Sequence, residues 1–432
     1  MAGATRGWSD GFALGIFMAL VVAKLGNPVI FKSMEVAPAG LAEVALATWP
    51  TSWGYPMLLA AVLSGAMAAK FRAVRPMWIV WLPAVWLAWA AVSCIWSMAP
   101  ELSRLTIKHF AATVVTFYLG LFVLGPAADS KWFWRMTALG FVFVLMLGID
   151  QQYGGLEATR KAFMELPNWK DFPPEFQLKM QSNRIFSIFV YPNAFAGAIL
   201  LWAPALTVAL WEWTNRRPSI LQKVVVGLFG AASAACLFWT GSKAGWLIAV
   251  GMVAVGLLHL RIRRAVKVAI VSAVVVIGLS GFVLKYRGYL EKGATSASAR
   301  VVYWKAAVQI ANANPFFGAG PGTFARTFAP IKPPEAEMAR LTHNDYLEQA
   351  CDSGWPAFFL FAGFVWAAVF LGHAAVTKSP LHFAAWLGVL GWAVQSFVEF
   401  GLYIPAISWS AFMLLGWLLS ARIPIDTPKP AR

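Results

Sequence analysis

Apolar runs long enough to cross a bilayer recur along the whole chain, separated by short polar breaks. A helix needs ~20 such residues to span the hydrocarbon layer. Only helices and closed barrels satisfy their backbone hydrogen bonds there. The runs fall near 11–27, 54–70, 77–97, 109–125, 132–149, 194–213, 221–239, 244–260, 265–284, 356–376, 381–398 and 403–420. They predict an all-α polytopic membrane protein of about twelve transmembrane helices. The stretch 34–48 is weakly amphipathic and reads as an interfacial helix or as part of the second span. The first apolar stretch, Gly11 to Val22, has no small-residue cleavage site after it. It therefore reads as a retained helix rather than a signal peptide.

Composition agrees. Charged residues make up 12% of the chain, against roughly 25% in soluble domains. The 23 Trp and 32 Phe suit membrane interfaces and apolar cores. Cys94, Cys236 and Cys351 stand far apart, in no CxxC or zinc spacing, so no disulfide framework is implied.

The net charge of +16 fits the excess of Lys and Arg on cytoplasmic loops. Basic clusters occur at Lys70/Arg72/Arg75, Arg216/Arg217/Lys223, Arg261/Arg263/Arg264/Lys267, Lys378, and Arg422/Lys429/Arg432. With twelve spans, all five and both termini fall on the cytoplasmic side. No soluble basic face is present for nucleic acid. The chain then divides into spans one to nine (1–284, with an outward loop at about 150–193), a large periplasmic loop containing helices between spans nine and ten (285–355), and three last spans with a cytoplasmic tail (356–432).

Long loops escape the positive-inside rule, yet these two carry Arg160, Lys161, Arg184, Lys285, Arg287, Lys292, Arg300, Lys305, Arg326 and Arg340. Such cations serve solvation or contact with anionic lipid, or they bind an anionic substrate such as a lipid pyrophosphate. The spans themselves are almost free of ionisable residues, with Arg135 and Glu399 near their ends. That pattern, and the lack of an internal repeat, argue against a transporter or flippase.

Five histidines occur. His109, His259, His373 and His382 lie at predicted span ends and read as packing or interfacial residues. His343 differs, standing in Thr342-His343-Asn344-Asp345-Tyr346-Leu347-Glu348. Thr342 is a candidate N-cap with Asp345 in the capping-box position. The resulting helix carries His343 and Leu347 on one face and stops near Gly354. A helix N-terminus favours neutral imidazole, the form a general base requires. Upstream, Asn314-Pro315-Phe316-Phe317-Gly318-Ala319-Gly320-Pro321-Gly322 has glycines at alternate positions. It lacks the Lys-Ser/Thr ending of a phosphate-binding loop. Its amides could approach an anion, but tight folding of the loop is the simpler reading. Arg300 opens a helical pattern with Tyr303, Trp304 and Ala307 on one face. Lys243 lies in a tight turn after Thr240-Gly241-Ser242, and Arg184 precedes Ile185-Phe186 where the first loop returns to the membrane. No HExxH, GxSxG or Rossmann motif is present, and no paired acidic motif marks the first outward loop, where Glu35 and Glu43 stand apart, so we expect no metal and no cofactor.

In this order, these motifs resemble the O-antigen ligase and O-antigen polymerase superfamily. The matching pieces are Ser93-Cys94-Ile95-Trp96-Ser97, Thr240-Gly241-Ser242-Lys243-Ala244-Gly245, Arg300 with Trp304, the glycine-rich turn, and His343-Asn344 followed by Leu347 and Gly354. Lys243 departs from the arginine more usual in the family and lacks its bidentate fork. The resemblance implies a metal-independent, inverting glycosyltransferase of the bacterial inner membrane with a periplasmic site. It implies transfer of a glycan from undecaprenyl pyrophosphate to a sugar hydroxyl of lipid A–core oligosaccharide. His343 is then the expected base, and Arg184, Arg300 and Lys243 hold the pyrophosphate. Asn344, Asp345 and Glu348 are candidate supporting residues. The nearest alternative is an O-antigen or exopolysaccharide polymerase, whose acceptor is a second lipid-linked glycan. The short tail after the last span argues against the larger protein-glycosylating ligases.

Overall fold

A computed structural model describes residues 2–31, 37–66, 69, 71, 74–127, 129–165, 169, 177, 181–214, 219–291 and 294–421. Lys70, Arg72, Arg216, Arg217, Lys292, Arg422, Lys429 and Arg432, which carry part of the charge argument, lie outside the described residues. Among the described residues every regular element is helical. The helices are α1 (Ala2–Lys24), α2 (Leu41–Leu46), α3 (Thr51–Ala66), α4 (Trp78–Ser93), α5 (Pro100–Leu119), α6 (Lys131–Asp150), α7 (Leu156–Met164) and α8 (Pro192–Thr214). They continue with α9 (Ser219–Trp239), α10 (Lys243–Leu258), α11 (Arg264–Glu291), α12 (Thr295–Ala313), α13 (Phe324–Phe328), α14 (Asp345–Gly372), α15 (Pro380–Gln395) and α16 (Pro405–Ser420).

Each predicted apolar run coincides with a helix. Among the described residues, seven helical stretches are long and apolar enough to cross a membrane by length and composition. Gly11–Lys24, Lys243–Leu258 and Pro405–Ser420 are shorter apolar helices. Within the 34–48 stretch, Leu41–Leu46 forms the separate helix α2 with no buried residue, so this part does not belong to the second span.

The core forms around α16, whose residues Pro405 to Leu419 are all buried. Apolar surface gives no driving force between helices in lipid, so close packing through small residues replaces it. Gly120 lies directly against the backbone of Met413, and Gly416 against the Phe117 carbonyl, which locks α5 to α16. At the other extreme is α11, whose apolar window is 0% buried. It packs mainly on α10.

Two features position the site. First, α14 is broken where the sequence placed a stop. Ser353 (φ −135°) and Gly354 (φ 80°) leave the helical region. Tyr346 and Phe361 then meet with ring centroids 5.6 Å apart, whereas fifteen residues of straight helix would separate them by about 22 Å. The segment 345–352 therefore folds back beside the start of the following helix. Second, His109 sits nine residues into α5 and its Nε2 lies 2.8 Å from the Leu402 carbonyl. The loop 396–404 is thus recessed about 13 Å below the N-terminal end of α5. His109 is a buried core residue here (0% exposed), not one at a helix end, because α5 starts at Pro100 rather than near 109.

The glycine-rich turn is the joint that holds the break in α14. Gly318, Gly320 and Gly322 all have positive φ (62°, 107° and 75°), a region open to glycine at no steric cost. The amides of Ala319 and Gly320 reach the carbonyls of Cys351 and Asp352 at 2.9 and 2.8 Å. The Gly322 amide donates to Asp352 Oδ2 at 2.7 Å. These amides are spent on the end of a helix, which settles the turn as a folding element. The Ser93–Ser97 motif is the other half of the joint: Ser93 bonds Ser353 at 2.8 Å, and Trp96 stacks on Phe317 at 4.1 Å.

A Cβ at Gly318 would lie 2.5 Å from the Asp352 carbonyl carbon, whereas one at Gly227 would meet nothing within 4 Å. Gly318→Ala is expected to destabilise the protein by about 1–3 kcal/mol. Gly227→Ala should leave the melting temperature in detergent unchanged or slightly higher, measured on the same preparation.

Candidate active site

One carboxylate organises the recessed end of the bundle. Glu399 follows α15 in the loop before α16, with its side chain 7% exposed. Its Oε1 accepts from Arg300 Nη2 at 2.5 Å and from Asn193 Nδ2 at 2.6 Å. Its Oε2 lies 3.3 Å from His343 Nδ1. Asn193 in turn accepts from Arg184 Nη2 at 2.6 Å through its Oδ1, and its backbone carbonyl is held by Gln395 Nε2 at 3.0 Å. Asn193, Arg300 and His343, from three parts of the chain distant in sequence, thereby meet at one side chain, and Arg184 joins them through Asn193.

Each partner is held by its own local chemistry. Arg184 Nε also donates to the Thr240 carbonyl at 2.6 Å, at the turn made by Gly241 (φ 60°). The buried residues Ile185, Ile188 and Phe189 that follow Arg184 anchor its segment. Gln151 Oε1 fixes that segment by accepting the amides of Phe186 and Ser187 at 2.9 and 2.7 Å. Arg300 lies on the second turn of α12 rather than opening it, since that helix starts at Thr295. Buried Tyr303 and Ala307 turn the helix so that Arg300 Nε also reaches the Val398 carbonyl at 3.0 Å.

His343 stands just before its helix, not on the first turn. The N-cap is Asn344, whose Oδ1 accepts the amides of Tyr346 and Leu347, both at 3.0 Å. Thr342 instead bridges to Asn344 through its hydroxyl. The displaced cap leaves His343 at φ 53°, a left-handed conformation that costs a non-glycine residue about 1–3 kcal/mol. Bonds on both sides enforce it. The Thr342 amide donates to Glu348 Oε2 at 2.5 Å, and the Asp345 amide to the Ser396 carbonyl at 2.8 Å. His343 therefore does not share a helix face with Leu347. Its ring sits edge-on to Phe400 at 4.8 Å and near Tyr303 at 6.1 Å, with the side chain 24% exposed. With Nδ1–H donating to Glu399, Nε2 keeps its lone pair. Among the described residues no hydrogen bond engages that nitrogen.

Asp345 and Glu348 are fully buried and face the protein. Asp345 accepts the Leu402 amide at 3.0 Å, not an amide of its own first turn, so no capping box forms. Glu348, Cys351 and Asp352 form the one group among the described residues whose ligand atoms are close enough to hold a metal ion, within 4.8 Å of one another. Asp352 Oδ2 is already occupied by the Gly322 amide and the Tyr403 hydroxyl. Glu348 Oε1 and Asp352 Oδ1 have no hydrogen-bond partner. Lys243 heads α10 beyond the Ser242 N-cap, with Nζ over the rings of Tyr289 at 4.1 Å and Tyr286 at 5.3 Å.

The charge balance is specific. Burial alone would raise the Glu399 carboxyl. The Arg300 guanidinium and the His343 side chain outweigh burial and hold it below its ordinary 4.5. Burial lowers the Arg184 guanidinium, Glu399 and Tyr286 oppose that, and Arg300 adds to the lowering. The guanidinium remains charged at any physiological pH.

Sequence reasoning missed Glu399 as the centre. The available signal was a lone carboxylate at the end of an apolar run, which must find partners to be tolerated there.

Residues 228–362 match the family model described as O-antigen ligase. The matched segment runs from α9 through Arg300, the glycine-rich turn and His343 into α14. The resemblance to the O-antigen ligase and polymerase superfamily carried by the motifs is thus supported for this middle part of the chain. Arg184, Asn193 and Glu399 lie outside the match; Arg184 bonds the Thr240 carbonyl inside it, Glu399 bonds Arg300 and His343 inside it, and Asn193 links Arg184 to Glu399. No curated protein matches the chain.

A depressed carboxyl contributes stability that is complete above its ordinary value and is lost as pH falls through the lowered one. The stability difference between wild type and Glu399→Gln should therefore be constant from pH 8 down to about 5 and shrink below the ordinary 4.5. Thermal melts across that range check it. A difference that shrinks between pH 7 and 6 would contradict the assignment.

Proposed function

We propose that this chain is an O-antigen ligase. In this reading it transfers a glycan from undecaprenyl pyrophosphate to a sugar hydroxyl of lipid A–core oligosaccharide at the periplasmic face of the bacterial inner membrane. The observation that carries the proposal is the Glu399 network. It sets a histidine whose Nε2 no described residue engages beside two guanidiniums in a recess between helices.

A sugar hydroxyl is a weak nucleophile at neutral pH, and a positioned base assists it by about 10²–10⁴-fold. His343 Nε2 takes the hydroxyl proton as the acceptor oxygen attacks the anomeric carbon. The bond from that carbon to the phosphate oxygen breaks on the opposite face, so configuration inverts and lipid pyrophosphate leaves. Glu399 receives the Nδ1–H bond, fixes the tautomer and stabilises the imidazolium that forms, as the acid does in a catalytic triad. Arg184 and Arg300 neutralise charge growing on the leaving pyrophosphate, with Lys243 as a point charge beside them. No step in this scheme needs a metal. Asn344 and Glu348 support the turn that presents His343, and Asp345 ties it to the Leu402 loop.

The polymerase reading uses the same donor and the same residues with a second lipid-linked glycan as acceptor. An in vitro assay separates the two. Purified protein receives undecaprenyl pyrophosphate-linked glycan with either lipid A–core or more donor, in the presence of chelator. Wild type should modify lipid A–core only, and His343→Ala should lower kcat by at least about 100-fold with little change in donor KM. Elongation of the lipid-linked glycan would make the protein a polymerase. Full activity of His343→Ala, or inhibition by chelator, would refute the mechanism.

A further inference from the structure

His109 carries polar atoms where packing alone needs none. It is 0% exposed, as are Ser408 and Trp409 beside it, and an apolar ring would fill that space without the cost of burying an imidazole. Both of its nitrogens are nevertheless in use. The indole N–H of Trp409 can only donate, so its 3.3 Å contact makes His109 Nδ1 an acceptor. The proton then sits on Nε2, which donates to the Leu402 carbonyl at 2.8 Å. Ser408 Oγ lies 3.3 Å from the same nitrogen. Its own hydrogen goes to the Ile404 carbonyl at 3.1 Å, which leaves its oxygen to accept from His109. A single tautomer satisfies each of these groups.

Leu402 is held from its other side as well. Its amide donates to Asp345 Oδ2 at 3.0 Å, with Oδ1 at 3.2 Å. Asp345 comes two residues after His343, and Leu402 comes three residues after Glu399. The turn between Phe400 and Ile404 is tight: the Tyr403 amide donates to the Phe400 carbonyl and the Ile404 amide to the Gly401 carbonyl, both at 3.2 Å. Both members of the His343–Glu399 contact are therefore referenced to the backbone of Leu402. Phe400, whose ring meets that of His343 at 4.8 Å, belongs to the same turn. His109 ties this backbone to the rigid part of the bundle, where α5 and α16 pack through Gly120 and Gly416.

We infer that His109 is a positioning residue: its Nε2–H holds the Leu402 carbonyl and thereby sets the distance between Glu399 and His343. The effect on rate rests on the function proposed above. The effect on geometry rests on the His343–Glu399 contact alone. A misplacement of about 1 Å at a catalytic contact can cost about 100-fold in rate. A residue buried in α5 can thus act on the base through a backbone carbonyl.

The test is nitrogen NMR on full-length protein in lipid nanodiscs with all five histidines isotope-labelled. Wild type should show His109 with its proton on Nε2 and His343 with its proton on Nδ1. In His109→Phe, which keeps a ring and loses the donor, His343 should no longer hold one tautomer. In the transfer assay the same variant should lose about 10–100-fold in kcat with donor KM within about twofold. His109→Gln, whose carboxamide can still donate to Leu402, should restore the His343 tautomer and bring kcat to within about threefold of wild type. A residue that only packs gives the reverse order, with Phe nearer to wild type than Gln and His343 unchanged, and that result overturns the inference. A wild-type His109 protonated on Nδ1 overturns it too. Should neither variant at 109 fold, Trp409→Phe removes the donor to Nδ1 and leaves His109 in place. His109 should then show mixed tautomers and His343 should follow; a His343 signal that stays fixed while His109 mixes, or a His109 that does not mix, refutes the coupling. Wild type that transfers to neither acceptor would sink the proposed function, while the two tautomers still decide whether His109 places Glu399.

Discussion

A single buried carboxylate governs this end of the molecule. Glu399 is one of few acids in a chain with 12% charged residues, and its side chain is 7% exposed. An isolated carboxylate in so dry a place would cost several kcal/mol. It is tolerated because Arg300, Asn193 and His343 converge on its two oxygens. The requirement runs both ways. The guanidiniums could not be crowded beside an imidazole without a negative charge between them. The same contact that satisfies the acid therefore spaces the cations and orients the base.

The scaffold that makes this convergence possible is the folded-back segment of α14. Gly354 breaks the helix, and the turn with positive φ at Gly318, Gly320 and Gly322 receives the broken end. Buried Glu348 and Asp352 face opposite tasks on that short helix. Glu348 holds the Thr342 amide before His343, and Asp352 holds the Gly322 amide at the far end. Strain at His343, in a left-handed conformation, is the local cost of presenting Nε2 to the recess. The Ser93–Trp96 segment completes the joint through Ser353 and Phe317. Motifs some 220 residues apart in sequence thus occur together because they pack on one another, not because each does chemistry.

Much of the fold was legible. Apolar run length identifies a membrane helix without reference to its neighbours, since backbone hydrogen bonding in lipid is settled within the helix. The stop at Gly354 was equally local. The cap was not. Thr342 and Asn344 are both competent N-cap residues, and the choice fell to Asn344 because the carbonyl of Ser396, just past the end of α15, takes the Asp345 amide. His109 went astray for a related reason. A polar residue next to an apolar run looks like a boundary until Leu402, Ser408 and Trp409 are seen around its ring.

The class of the molecule, the helices, the tight turns and the histidine and cations worth attention can all be read along the chain. Those follow from short-range rules: hydropathy, backbone preference, and the rarity of charge in an apolar chain. The tertiary structure alone decided which of those residues meet and what joins them. Glu399 became the hub only once α15, α12, α14 and the segment before α8 were packed together, because a carboxylate's partners are chosen by distance in space. Nothing in its immediate neighbours along the chain encodes them.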